Sequence, residues 1–225
     1  MSNKLKKIST SFQQWLLLIV GIAFIVTLVF LGQYQTKLFT DSANNLLNIY
    51  IKDVRHDIMD VTDKNLLILT RAVATEVNNA DKITSELLTG MLEKYNVTEI
   101  NYFSSTGVIL ASSNADFVGY DIGKGGVQAS EFWALLGAIT EYVQRFQPIG
   151  FDAQKSRKYA GVTLAAGGFI QVGYDEEAYY RAIEVAINEV VKNRHVGESG
   201  FLIVTDSAWR IISDRANNKN QPVTI

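Results

Sequence analysis

The chain has 225 residues, a net charge of −2 and no cysteine. These facts exclude a disulfide framework, thiol catalysis and a cysteine-ligated zinc site. They also leave no electrostatic case for nucleic acid binding.

The first predicted element is a membrane anchor. No residue from Ile8 to Thr36 is charged, and Trp15 to Leu31 reads WLLLIVGIAFIVTLVFL. A helix rises about 1.5 Å per residue, so about 20 residues cross a hydrocarbon core about 30 Å thick. Residues 11–33 are therefore expected to form a transmembrane helix. Lys4, Lys6 and Lys7 precede the run, and Lys37 and Asp41 follow it. The excess of positive charge before the run places residues 1–10 in the cytoplasm and the remainder outside it. The exit, Phe30-Leu31-Gly32-Gln33-Tyr34, lacks the small-residue pattern of a cleaved signal peptide. An uncleaved anchor in the cell membrane is expected.

Residues 34–80 are expected to form a stalk helix, because Thr36 to Asn79 contains neither proline nor glycine. Leu47, Ile51, Val54, Ile58, Val61, Asn65, Ile68 and Ala72 recur at steps of four and three, which is a heptad seam. The seam either pairs with a partner helix, giving a homodimer, or packs under a sheet.

Next, Ser85 to Tyr95 reads as a short helix, with Thr84 as N-cap and Asn96 as its stop. The period then changes to two. Glu99–Phe103 alternates as a strand, Ser104 to Gly107 is a turn, and Val108 to Ser112 is the returning strand. Three more strands are expected over Tyr142–Phe151, Lys158–Leu164 and Gly168–Tyr174, followed by a helix from Glu176 to Asn193. Phe103–Ser112 lines up without gaps on Thr205–Asp214, at an offset of about 100 residues. Such a repeat predicts two modules of one kind in tandem. The expected fold class is α+β: a five-stranded antiparallel sheet between helices over 81–195, then the incomplete start of a second module over 196–225.

Taken together, Glu99–Asn114, Phe117-Val118-Gly119, Arg157–Leu164, Gly168–Asp175 and His195–Asp206 resemble the double Cache, PAS-like extracytoplasmic sensor domain of bacterial transmembrane receptors. The resemblance implies a small-molecule ligand in the membrane-distal module. It also implies signalling through stalk and membrane helices to an output domain such as a histidine kinase or a serine/threonine phosphatase. The fold by itself fixes no ligand.

Strand alternation sorts the sheet's faces. Ala160, Val162 and Leu164, with Ile170, Val172 and Tyr174, form an apolar face expected to pack on the long helix. Arg157, Tyr159, Gly161 and Thr163, with Phe169, Gln171, Gly173 and Asp175, form a mixed face. That composition suits either a small-molecule pocket or a solvated surface. By resemblance, Trp133 and Phe132 lie in a segment that caps the pocket, although Trp133 suits an ordinary core equally well. The candidate ligand-binding residues are therefore Trp133, Arg157, Tyr159, Thr163, Gln171 and Asp175. Arg157 and Asp175 would meet the two ends of a zwitterion such as an amino acid, and another small polar metabolite fits the same face. The amino-acid-binding members carry Arg-x-Trp-aromatic-x-Asp, and Ala129–Leu135 lacks that run.

No catalytic group, metal site or cofactor is expected. Gly119–Gly125 is one residue short of a phosphate loop, and Gly197–Phe201 is not a nucleophile elbow. His56 and His195 have no nucleophile in sight. The expected function is ligand sensing, and the alternative is a membrane-anchored dimerisation module with no small-molecule ligand.

Overall fold

The computed structural model describes residues 2–150, 152–198 and 200–223. Phe151, at the end of one expected strand, and Ser199, inside the rejected elbow motif, lie outside them. The chain divides into two compact units, residues 1–54 and 55–225.

Helix α1 (Ser2–Asn78) contributes the whole of the described first unit. Every side chain from Phe12 to Ile49 is exposed, including the apolar run at Trp15–Leu31. Among the described residues, α1 is the one helix long and apolar enough to cross a membrane. An unbroken apolar surface of this length has no water-soluble counterpart in the unit itself, and lipid would cover it.

The second unit begins with the remainder of α1. Helix α2 (Ser85–Tyr95) follows, and the Thr84 hydroxyl accepts from Leu87 N. Asn96, at φ 50°, closes the helix in the left-handed region that asparagine tolerates. Strands β1 (Glu99–Phe103), β2 (Ile109–Ser112), β3 (Glu141–Val143), β4 (Gln147–Pro148), β5 (Ser156–Thr163) and β6 (Phe169–Tyr174) build an antiparallel sheet in the order β2-β1-β6-β5-β3, with β4 also on β5. Between β2 and β3 lies an irregular cap, with short 3₁₀ turns at Ala115–Phe117 and Ile122–Lys124, helix α3 (Gly126–Ser130) and a 3₁₀ segment at Glu131–Leu136. Helix α4 (Glu176–Asn193) leaves the sheet at Asp175, whose carboxylate caps it by accepting from Ala178 N at 2.8 Å.

The apolar sheet face packs as the alternation predicts. Ala160, Leu164, Ile170, Val172 and Tyr174 join Leu66, Val73 and Val77 of α1, with Leu88 and Met91 of α2, in one buried core. The heptad seam needs a correction. The α1 face buried against the sheet is Thr62, Leu66, Thr70, Val73 and Val77, whereas Ile68 of the expected seam stays 56% exposed. The reason is local chemistry. Thr62 and Thr70 count as polar in a sequence pattern, but their hydroxyls donate to the carbonyls of Ile58 and Leu66. With that donor satisfied inside the helix, threonine is buried at little cost.

Polar ties hold α1 to the sheet. Buried Lys158 of β5 reaches Asp63 at 2.6 Å and Gln144 O at 3.1 Å. Arg71 makes a bidentate pair with Glu141 of β3, both contacts at 2.6 Å, and Arg194 pairs with Asp57. The Arg71–Glu141 pair lies at the surface, where solvent screens it, so it positions β3 more than it stabilises the fold.

Strands β7 (His195–Val196) and β8 (Gly200–Phe201) form a short pair, and β9 (Val204–Thr205) and β10 (Ile211–Ser213) form the repeated hairpin. The repeat extends to individual bonds. Gly107 N donates to Ser104 O and Ser104 N to Val108 O; Trp209 N donates to Asp206 O and Asp206 N to Arg210 O. The Ser104 hydroxyl accepts from Thr106 N and Val108 N, as the Asp206 carboxylate accepts from Ala208 N and Arg210 N. Gly107 at φ 83° and Trp209 at φ 59° occupy the same turn position. Downstream, Ile109 N donates to Tyr120 O and Ile211 N to Gln221 O. Trp209 carries a bulky side chain at a left-handed φ, a strain that glycine would relieve. Trp209→Gly is expected to stabilise this hairpin by about 1 kcal/mol, which hydrogen exchange at Asp206 N and Arg210 N would measure.

Candidate functional site

The mixed face of the sheet and the cap enclose a small cavity of about 40 Å³. Register explains how the sheet supplies its floor. Glu99 of β1 lies across from Gly173 of β6, which lies across from Tyr159 of β5. One step along, Asn101, Gln171 and Gly161 are in line, and then Phe103, Phe169 and Thr163. Alternation points Glu99, Asn101, Tyr159 and Gln171 into the cavity, while Ile100 and Val172 point to α1.

The cap supplies the roof. Phe117, Tyr120, Ile122, Gln128, Ala129 and Phe132 line the cavity from above. Phe132 is fully buried; it stacks on Phe169 at 6.1 Å and meets Tyr142 edge-on at 5.3 Å. The cap is pinned to the sheet edge by buried Gln144. That side chain accepts from Gln128 Nε2 at 2.7 Å and donates to Gln128 O and to Glu131 Oε2. Tyr142 also donates to Glu131 Oε2, and burial together with that bond pushes its hydroxyl up to about 12.

The sheet's glycines do not hold open space for a ligand. A Cβ on Gly173 would lie 2.5 Å from the Tyr159 ring, and one on Gly161 would lie 2.4 Å from Leu135. The chain's own side chains fill the room above both.

Glu99 dominates the cavity's polarity. Its residue is 3% exposed, and its Oε1 accepts from Asn101 Nδ2 and from the Tyr159 hydroxyl, each at 2.7 Å. Its Oε2 has Arg157 Nε at 3.8 Å, beyond hydrogen-bond reach. Asn101 also donates to Gln171 Oε1 and accepts from the Ser112 hydroxyl, so the floor is a connected network. Burial pushes the Glu99 carboxyl above its ordinary range, against the pull of Tyr159, Asn101 and Arg157. Burial likewise pushes the Tyr159 hydroxyl well up, and the neighbouring Glu99 charge adds to it.

The raised Glu99 value fixes a pH dependence. The folded chain keeps this proton to a higher pH than the unfolded chain does. The stability from this group is therefore full below the ordinary carboxylate value and declines as pH rises through the raised one. Glu99→Gln carries no charge at any pH. The variant is expected to melt higher than the parent chain at pH 7, with the difference closing near about pH 4. Paired melts at the two pH values check this, and a variant that melts lower at pH 7 would contradict it.

The six sequence candidates fall in different places. Tyr159 and Gln171 line the cavity. Arg157 sits beside Glu99, with Nη1 donating to its neighbour's carbonyl, Ser156 O, and Nε without a hydrogen-bond partner. Thr163 lies beyond the floor in a shallow cleft with Leu135 and Ile139. Trp133 is 47% exposed and rests against Gly107 and Gly123, outside the cavity wall that Phe132 forms. Asp175 is engaged as the α4 cap, with its own N–H on the Thr98 hydroxyl. Sequence reasoning missed Glu99 and Asn101. The signal was an acid and an amide at the inward positions of an alternating strand. Among the described residues, no cluster of histidine and carboxylate side chains suited to a metal ion occurs.

No family model matches the chain, and no curated protein matches it. Among solved structures, it is similar to an extracellular ligand binding receptor from Desulfohalobium retbaense DSM5692, at 13% identity and a TM-score of 0.40 over 73% of this chain. The chain spans only 30% of that receptor's length. It is also similar to the E. coli DcuS sensor domain, at 14% identity and a TM-score of 0.39, covering 54% of this chain and 97% of that one. A third similar structure is the sensory domain of the Campylobacter jejuni chemoreceptor Tlp3 with isoleucine bound, at 13% identity and a TM-score of 0.40, covering 61% of this chain and 65% of that one.

Proposed function

We propose that this chain is the extracytoplasmic, ligand-sensing part of a membrane receptor of the double Cache kind. In this reading residues 11–33 span the membrane, the N-terminus is cytoplasmic, and a small molecule occupies the cavity between sheet and cap. The observation that carries it is the cavity itself. A polar network and a buried carboxylate at the floor of an aromatic-walled space are costly to stability, and binding is what such an arrangement serves. Tyr159 and Gln171 would contact the ligand, with Glu99 and Asn101 beside them and Arg157 at the margin.

The path to the anchor is a chain of polar contacts. Gln128 roofs the cavity and bonds Gln144; the Gln144 carbonyl accepts from Lys158, and Lys158 pairs with Asp63 of α1. A ligand that prefers one arrangement of the cap would thereby bias α1, by no more than its difference in affinity for the two arrangements.

The test is a thermal-stability screen of the full chain in detergent micelles against amines, carboxylates, amino acids and sugars. At least one class is expected to stabilise the chain in a saturable way, and Phe132→Ala is expected to abolish that response. Silence to every class would sink the sensor reading. It would favour the alternative, a dimerisation module, for which exposed Leu47 and Ile51 of the first unit offer apolar surface.

A further inference from the structure

We propose that the cavity binds a small organic ammonium ion, with Glu99 as its counter-ion. This inference rests on the sensor reading and names the ligand class for it.

Charge is the first argument. Among the described residues lining the cavity, Glu99 alone is ionisable to a charge near neutral pH, and no cation lines it. A carboxylate removed from water is costly unless it is paired and hydrogen-bonded. Here the pairing is half made. Oε1 has two donors, while Oε2 has only the Arg157 guanidinium at 3.8 Å. Arg157 gives Nη1 to its neighbour's carbonyl, and its Nε faces Glu99 as an ion pair too long for a hydrogen bond. An ammonium ion in the cavity brings up to three N–H donors and a full positive charge to the carboxylate that lines it.

The walls are the second argument. Phe103, Phe117, Tyr120, Phe132 and Tyr159 line the same cavity. Aromatic faces attract a cation and repel an anion, and they cover the alkyl part of an amine as well. An anionic ligand would meet Glu99 and these faces together, and both oppose it.

Size is the third. A site needs roughly 10–15 Å³ of such space per water molecule. A cavity of about 40 Å³ therefore takes a ligand of about three heavy atoms. A short primary amine has that size.

Ethylammonium chloride is the probe, titrated calorimetrically into the full chain in micelles at pH 7. Sodium formate, with as many heavy atoms as ethylammonium and the opposite charge, and potassium chloride at equal ionic strength are the comparisons. Ethylammonium is expected to bind saturably, and neither comparison to do so. Glu99→Gln is expected to weaken ethylammonium at least tenfold while the variant still melts cooperatively. The proposal is overturned if formate binds as well as ethylammonium, if potassium reproduces the signal, if the variant binds unchanged, or if ethylammonium is silent. The contrast between ethylammonium and formate on the parent chain needs no variant. A response to anionic or neutral compounds, with none to amines, overturns the ammonium assignment and leaves the sensor reading standing. Silence to all classes removes both.

Discussion

Phe132→Ala is expected to lower the stability of the folded head by about 3–5 kcal/mol, the range for deleting a buried aromatic side chain. The residue has no exposed surface, and its ring touches both layers it joins. It stacks on Phe169 of β6 and stands edge-on to Tyr142 of β3 and Tyr159 of β5. The cap has little regular structure of its own, so few backbone bonds would resist its loosening once the ring is gone. Phe132→Leu keeps most of the volume and is expected to lose only about 1–1.5 kcal/mol. Urea unfolding in detergent, followed by tryptophan fluorescence, measures both. Trp133 beside the mutated position reports the cap directly. A loss below about 1 kcal/mol for the alanine variant would show that the cap is not packed on the sheet as described.

Gly168→Ala is expected to be nearly as damaging, and its neighbour provides the control. Gly167 and Gly168 form the turn between β5 and β6, at φ 92° and 76°. Both need the left-handed region, where an added Cβ costs about 1–2 kcal/mol. The surroundings differ. A Cβ at Gly167 would lie 3.7 Å from the Ser105 side chain, an ordinary contact. A Cβ at Gly168 would lie 2.0 Å from the Phe103 carbonyl oxygen and 2.9 Å from the Ser104 carbonyl carbon. Backbone cannot step aside as a flexible side chain can, and β1 would have to move away from β6. Gly167→Ala is therefore expected to cost about 1–2 kcal/mol, and Gly168→Ala about 3–4 kcal/mol. Equal losses in the two unfolding curves would remove the close approach as the cause. A displaced β1 would also carry Glu99 out of register, so Gly168→Ala should weaken any cavity ligand more than Gly167→Ala does.

Much of this architecture was legible because its causes are local. Thr84, Asn96 and the alternation of Glu99–Phe103 act within a few residues of themselves, and α2 and β1 stand where the sequence places them. The helix from Glu176 to Asn193 likewise stands as read. The same locality made the two sheet faces readable, since period two leaves no choice once one face is apolar. The repeat was legible for a related reason: its turn depends on a side-chain acceptor at Ser104 or Asp206, three residues before the left-handed position.

What the sequence could not supply were the choices made between distant segments. Trp133 and Phe132 are adjacent, and only the docking of the cap decides which ring enters the core. Asp175 could face a ligand or cap a helix, and α4 takes it. Gly161 and Gly173 promise open space, and Leu135 and Tyr159 arrive from elsewhere to fill it. The sequence by itself determined an apolar helix suited to a membrane, an α+β head, the strand faces and the start of a second hairpin. Tertiary structure decided which face of α1 meets the sheet, what roofs the cavity, and that Glu99 stands inside it. The physical reason is range. Caps, turns and periodicity are settled by neighbours in the chain, whereas burial of a carboxylate depends on elements that pairing and packing bring across the sheet.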